Sequence, residues 1–240
     1  LKLFLMGYSF QAINKARSEK KKLVQGKSFQ PLKSTIERYA DVIRDFGLKL
    51  NLEHPKFPPP QVLSSSIKDM IKINNKLLIG VAPFAAYKSK IYPLHKMKKI
   101  INILSKDYIV VLFGGGKNEI KILDKIANQS STIISFSGKF SMKEEIQLMS
   151  HLKLMISMDS GNAHMAAMMG VKVITLWGVT HPFAGFMPFN QPFGNCLLSD
   201  RSSFPLIPTS IYGNVYPKNY ENAIASIPES EVLKAVKNNI

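Results

Sequence analysis

The chain has 240 residues, enough for one large domain or two small ones, and its 45% apolar content is that of a globular protein. No apolar run approaches the roughly 20 residues that span a bilayer, and the single Cys196 excludes an internal disulfide framework and reads as a buried structural thiol. Thirty-two Lys and Arg against 16 Asp and Glu give a formal charge of +16, a surface that attracts polyanions, although a lysine-rich genome gives the same balance.

The opening LKLFLMGYSF is too short for a signal peptide and has no basic leader, so Leu1 to Met6 reads as a strand. Cations crowd Lys15 to Lys33, as either a solvated helix face or an electropositive flap. From Ser34 to Phe46 the apolar positions Ile36, Tyr39, Ala40, Ile43 and Phe46 have helical spacing, and Gly47 follows. That pattern predicts an amphipathic helix packed on the sheet. A short strand is expected over Leu48–Leu52, an extended linker over HPKFPPP, and a helix over Ser64–Asn75.

From Leu77 the chain alternates. Strands are expected over Leu77–Pro83, Tyr108–Phe113, Thr132–Phe136 and Leu152–Ser157. Helices are expected over Leu94–Leu104, Glu119–Ala127 and Met142–Ser150, the last capped by Ser141. Gly114-Gly115-Gly116 follows the second strand but is not a G-x-G-x-x-G fingerprint. Gln191 to Asp200 reads as a further short strand region, Ser203 to Pro217 as irregular, and Tyr220–Ile227 and Glu229–Val236 as terminal helices. Such alternation makes a parallel, helix-covered sheet.

One stretch organises the rest: ISMDSGNAHMAAMMGVKVITLWGVTHPFAGFMPF, Ile156 to Phe189. It reads strand, polar turn, small-residue helix (Asn162–Met169), strand (Val171–Leu176), loop. Asp159 and Ser160 stand where the helix begins and can cap its free N–H groups. Gly161 lets a ligand approach the backbone, and the helix dipole favours an anion there. His164, one turn in, can point at the same anion. The same residues also make an ordinary capped helix with a buried histidine. Thr180 could donate to a phosphate oxygen, and His181 is a second titratable group, facing the ligand or only water.

The run MDSGNAHMAAMMGVKVITLWGVTHPFAGFMPF resembles the signature of glycosyltransferase family 9, the ADP-heptose:lipopolysaccharide heptosyltransferases. There a [SD]-D-[ST]-G-x-x-H segment starts the helix that holds the donor diphosphate, and a W-G-x-T-x-P loop follows. Here these are Asp159, Ser160, Gly161 and His164, then Trp177, Gly178, Thr180 and Pro182. The resemblance implies a GT-B-like α/β fold, with a Rossmann-like parallel donor lobe over residues 71–240 and a partial N-terminal, acceptor-side lobe plus linker over 1–70. It further implies that Lys90, with Tyr92 and Pro93, matches a basic K-x-W-P element reaching the donor phosphates. Glu119 would bond ribose hydroxyls, and Phe140 would pack on the base.

The implied reaction is inverting transfer of a heptose from an ADP-heptose-like nucleotide sugar to the lipopolysaccharide inner core. The implied place is the cytoplasm, with peripheral contact at the inner face of the membrane, where the Lys15–Lys33 flap would meet core phosphates. No metal or other cofactor is expected, because the sequence has no carboxylate pair or His/Cys cluster at ligand spacing. No nucleic-acid partner is expected, for want of a binding motif. The catalytic residue stays unassigned: the family's base lies in a front part of the N-terminal lobe that this chain is expected to lack. A non-catalytic nucleotide-sugar-binding fragment or pseudoenzyme, and a nucleotide-sugar epimerase of the same fold class, remain alternatives.

Overall fold

The computed structural model describes residues 11–71 and 76–240. The strand expected over Leu1–Met6, and the end of the helix expected over Ser64–Asn75, lie outside them. Two compact units are distinguished: residues up to Lys56 with Pro182–Met187, and Phe57–His181 with Pro188–Ile240.

The first unit holds helices α1 (Arg17–Val24) and α2 (Thr35–Asp45). α1 buries Leu23 and leaves Lys21 and Lys22 in solvent. The Lys20 ammonium sits over the Phe186 ring, 4.3 Å from its centroid. Ser34 caps α2, its hydroxyl accepting the Glu37 N–H at 3.0 Å. The apolar face expected on α2 is buried only in part, at Ala40 and, less fully, at Ile36. Tyr39, Ile43 and Phe46 are exposed, while Arg38 and Ala40 are buried. Arg38 turns inward because its guanidinium donates to the carbonyls of Lys33 (3.0 Å) and Asn14 (3.3 Å). Leu48–Leu52 forms no strand. Its Leu50 carbonyl accepts from Arg44 Nε at 2.8 Å, which ties the segment to the end of α2 rather than to a partner strand.

The second unit begins with α3 (Ser65–Ile71) and continues β1 (Leu78–Ala82), α4 (Leu94–Leu104), β2 (Ile109–Leu112), α5 (Lys117–Ala127), β3 (Ile133–Ser135), α6 (Met142–Met149), β4 (Leu154–Met158), α7 (Gly161–Met168), β5 (Lys172–Trp177), β6 (Cys196–Leu198) and α8 (Glu229–Asn239). The six strands form one sheet in the order β3-β2-β1-β4-β5-β6, and every pair is parallel. Helices cover both faces, which is why β1, β2 and β4 are buried at every position and read as continuous apolar runs.

The two faces separate by strand parity. Ile79, Val81, Val110, Leu112, Ile156 and Ile174 pack with α4, α5 and α8. Leu78, Ala82, Ile109, Val111, Met155 and Val173 pack with α3, α6 and α7. α7 lies against the sheet on Ala163, Ala166 and Ala167, each at most 1% exposed, so its small side chains set the close approach. The helix expected over Tyr220–Ile227 is only a 3-10 turn, Ala223–Ser226. Pro228 holds Ile227 in extended backbone (ψ 117°), and Ala223 donates back three residues to Tyr220 instead of four.

Candidate functional site

In this strand order the connections leave β1 and β4 in opposite directions, and the crevice between their carboxyl ends is where open α/β sheets receive ligands. Three loops meet there. The loop after β1 turns through a 3-10 turn, Lys88–Lys90, and the turn after β4 carries Asp159 and Ser160. The loop after β5 carries Gly178 to His181.

Lys90 and Asp159, 69 residues apart, form an ion pair with Nζ 3.1 Å from Oδ2, and their side chains are 12% and 11% exposed. Thr180 Oγ1 donates to the same Oδ2 at 2.9 Å. The Asp159 N–H donates to Leu176 O at 3.3 Å, prolonging the strand pairing and fixing where the carboxylate stands. Lys88, two residues from Lys90, points to solvent.

The capping expected at α7 is corrected here. Ser160 occupies the N-cap position but makes no side-chain cap; its hydroxyl pairs with Ser157 Oγ at 3.1 Å. Asp159 Oδ2 is taken by Lys90 and Thr180. The first N–H groups of α7 are therefore left without the side-chain oxygens that usually take them. A Cβ on Gly161 would meet nothing within 4 Å, so packing within the fold does not require glycine there. His164 stands in the same field. Burial lowers its pKa, the Asp159 charge opposes this and the Lys90 charge adds to it.

Two candidates are used by the protein itself. Glu119 Oε2 accepts the Gly115 N–H at 2.9 Å and so braces the glycine loop after β2. Phe140 stacks on Phe136, ring centroids 4.0 Å apart and 11° from parallel, which covers one ring face. Tyr92 is a buried anchor whose hydroxyl donates to Ile227 O at 2.7 Å. Cys196 is buried, and burial pushes its thiol up to about 12, so it stays protonated and inert. Among the described residues no group of three or more His, Cys, Asp or Glu is placed to hold a metal.

His181 does not face water as one sequence reading had it; it is 2% exposed. Burial first, and the Arg201 charge second, lower its pKa to about 4. The unfolded imidazole takes its proton near 6.5, so between that pH and about 4 the unfolded state binds more protons and stability falls as pH falls. The melting temperature of the wild type should drop more steeply over that window than that of His181→Gln, and parallel curves would remove His181 as the cause.

Sequence reasoning missed Ser89 altogether. It lies on the loop after β1, fully buried where that loop meets the loop after β5. A Cβ on Gly178 would overlap its carbonyl oxygen. A buried serine on a lysine-rich loop gives no local signal.

The comparisons with known proteins agree with this fold. The family model described as Glycosyltransferase family 9 (heptosyltransferase) matches residues 17–205. Lipopolysaccharide heptosyltransferase 3 of Escherichia coli is 31% identical over 166 residues, 66% of this chain and 45% of its own length. A solved glycosyl transferase family 9 structure from Veillonella parvula DSM 2008 superposes with TM-score 0.68 at 18% identity, covering 99% of this chain and 64% of that one. The structure of E. coli heptosyltransferase WaaC with ADP superposes with TM-score 0.58 at 16% identity, covering 85% and 56%. The chain spans about half the length of the curated relatives it matches.

Proposed function

The chain belongs to glycosyltransferase family 9, and from that premise we propose that it carries the donor-binding part of a heptosyltransferase. Residues 71–240 are the nucleotide-sugar lobe, and 1–70 are acceptor-side lobe and linker. The donor is an ADP-heptose-like nucleotide sugar, and the acceptor is the lipopolysaccharide inner core. The reaction inverts the anomeric centre without a metal, on the cytoplasmic side, with the cationic first unit next to the inner face of the membrane.

The observation that carries this reading is the Lys90–Asp159–Thr180 network beside the uncapped start of α7. Glycosyl transfer expels a nucleoside diphosphate, so negative charge grows on the phosphate oxygens. A fixed ammonium and free helix N–H groups stabilise that charge as it forms. Lys90 supplies the ammonium; Ser160, Gly161 and His164 border the phosphates. Asp159 orients Lys90, and Thr180 can turn its hydroxyl from Asp159 to a phosphate oxygen. Glu119 and Phe140 serve the ribose and base after giving up the contacts they now make.

No base is assigned. In the first unit Glu37 and Asp41 are engaged by Arg44 and Lys33, and a second reading is a donor-binding part that does not turn over alone. The test is ADP release from ADP-heptose with and without lipopolysaccharide core. Release that requires the acceptor supports transfer. Conversion without acceptor supports an epimerase instead. Tight binding with no release supports the second reading.

A further inference from the structure

Residues 203–217 contain turns and bends but no helix or strand. One of these turns, 210–213, packs on the stem of Lys90. A Cβ on Gly213 would lie 2.8 Å from both Cγ and Cδ of Lys90 and 3.2 Å from Ser89 Oγ. The Ser89 hydroxyl donates to the Gly213 carbonyl at 2.5 Å. Ser210 Oγ closes the turn, accepting the Gly213 N–H at 2.9 Å and the Val215 N–H at 3.4 Å. The Thr209 N–H donates to Val179 O at 3.0 Å, which fastens the turn to the residue before Thr180. On its other side Ser89 meets the backbone of Gly178. Lys90 thus leaves a clamped backbone, and its stem passes under a residue with no side chain.

We propose that the 210–213 turn is a positioning element that sets the Lys90 ammonium at the carboxyl end of the sheet and influences ligand binding only through Lys90. Its effect on the donor rests on the reading of Lys90 as a phosphate contact; its effect on Lys90 does not. A lysine stem has four rotatable bonds, and holding it before the ligand arrives removes that ordering from the binding step. Gly213 is suited to this twice over. Its φ of +89° lies where side chains are strained, and its missing side chain is the space the Lys90 stem fills.

The test is Gly213→Ala in the full chain, read in two ways. In the ligand-free protein, the His164 imidazole is titrated by NMR. It faces two charges, Asp159 and Lys90, and the Lys90 charge helps hold its pKa down. Displacing Lys90 should move the titration upward, as Lys90→Met should, and the double variant should move it no further than Lys90→Met alone. ADP affinity should fall about tenfold in Gly213→Ala and show the same non-additivity. Ser210→Ala, which removes two turn hydrogen bonds and adds no bulk, should give smaller shifts in the same directions should Gly213→Ala not fold. A lowered melting temperature with His164 titration and ADP affinity as in the wild type would overturn the proposal, as would fully additive effects with Lys90→Met. If the wild type binds no ADP, the donor reading falls, and the His164 titration still decides the role of the turn.

Discussion

Lys90→Met is expected to weaken ADP binding roughly 10- to 100-fold, the value of a lost hydrogen bond to a charged group. The substitution keeps most of the stem and removes only the ammonium. It also leaves Asp159 with the Thr180 hydroxyl but without its counter-charge. Removing one member of a largely buried pair costs about 3–5 kcal/mol, and the Thr180 hydrogen bond that remains keeps this near the low end. That is within the 5–15 kcal/mol that typically holds a domain together, so the affinity loss should be measurable in a folded protein.

Two neighbours sharpen the comparison. Lys88→Met, on the same turn but in solvent, should change ADP affinity less than twofold. Asp159→Asn should destabilise the protein yet cost less affinity than Lys90→Met, because it removes a negative charge that faces the phosphates. Isothermal titration of the three variants decides it. Equal losses at Lys88 and Lys90 would mean that general surface charge, not this pair, holds the nucleotide.

Gly178→Ala should be the most destabilising single-methyl addition in the second unit, about 3 kcal/mol or more. The added Cβ would strike the Ser89 carbonyl, and both partners are backbone at the meeting of two loops. Nothing can rotate out of the way. Gly80 in β1 is the contrast. A Cβ there would lie 2.6 Å from Leu152 Cδ1 and 2.9 Å from Met155 Sδ, the far ends of flexible side chains. Gly80→Ala should cost only about 1–2 kcal/mol. Urea unfolding of both variants measures the difference, and an equal loss would show that the loops after β1 and β5 can separate cheaply.

The sheet was legible because it is buried on both faces. Runs such as Leu78–Ala82 and Ile109–Leu112 leave no other place for their apolar side chains, and the helices between them carry clear 3.6-residue spacing. The strand order was not legible. Nothing local tells β1 to pair with β4, yet that pairing makes the crevice and brings Lys90 to Asp159.

Where local reasoning failed, a long-range contact had overridden a local one. Ser160 looked like a cap, but Ser157 takes its hydroxyl, and Asp159 turns to two other loops. On α2 the apolar spacing was real, but Arg38 had carbonyls to reach and took the inner face. Gly213 sits in a segment with no periodic pattern at all. Its contact with the Lys90 stem is visible only in the fold.

A nucleoside diphosphate seated at the start of α7 beside Lys90, as proposed, would stabilise the folded chain. The most direct measurement is a thermal-shift titration of the full chain with ADP. A ligand at a hundred times its Kd adds about 2.7 kcal/mol, which for a protein of this size raises the melting temperature by roughly 5–10 °C. Such a rise is expected with ADP, and a smaller one in His164→Ala. No shift with ADP or any other nucleoside diphosphate at millimolar concentration would contradict it.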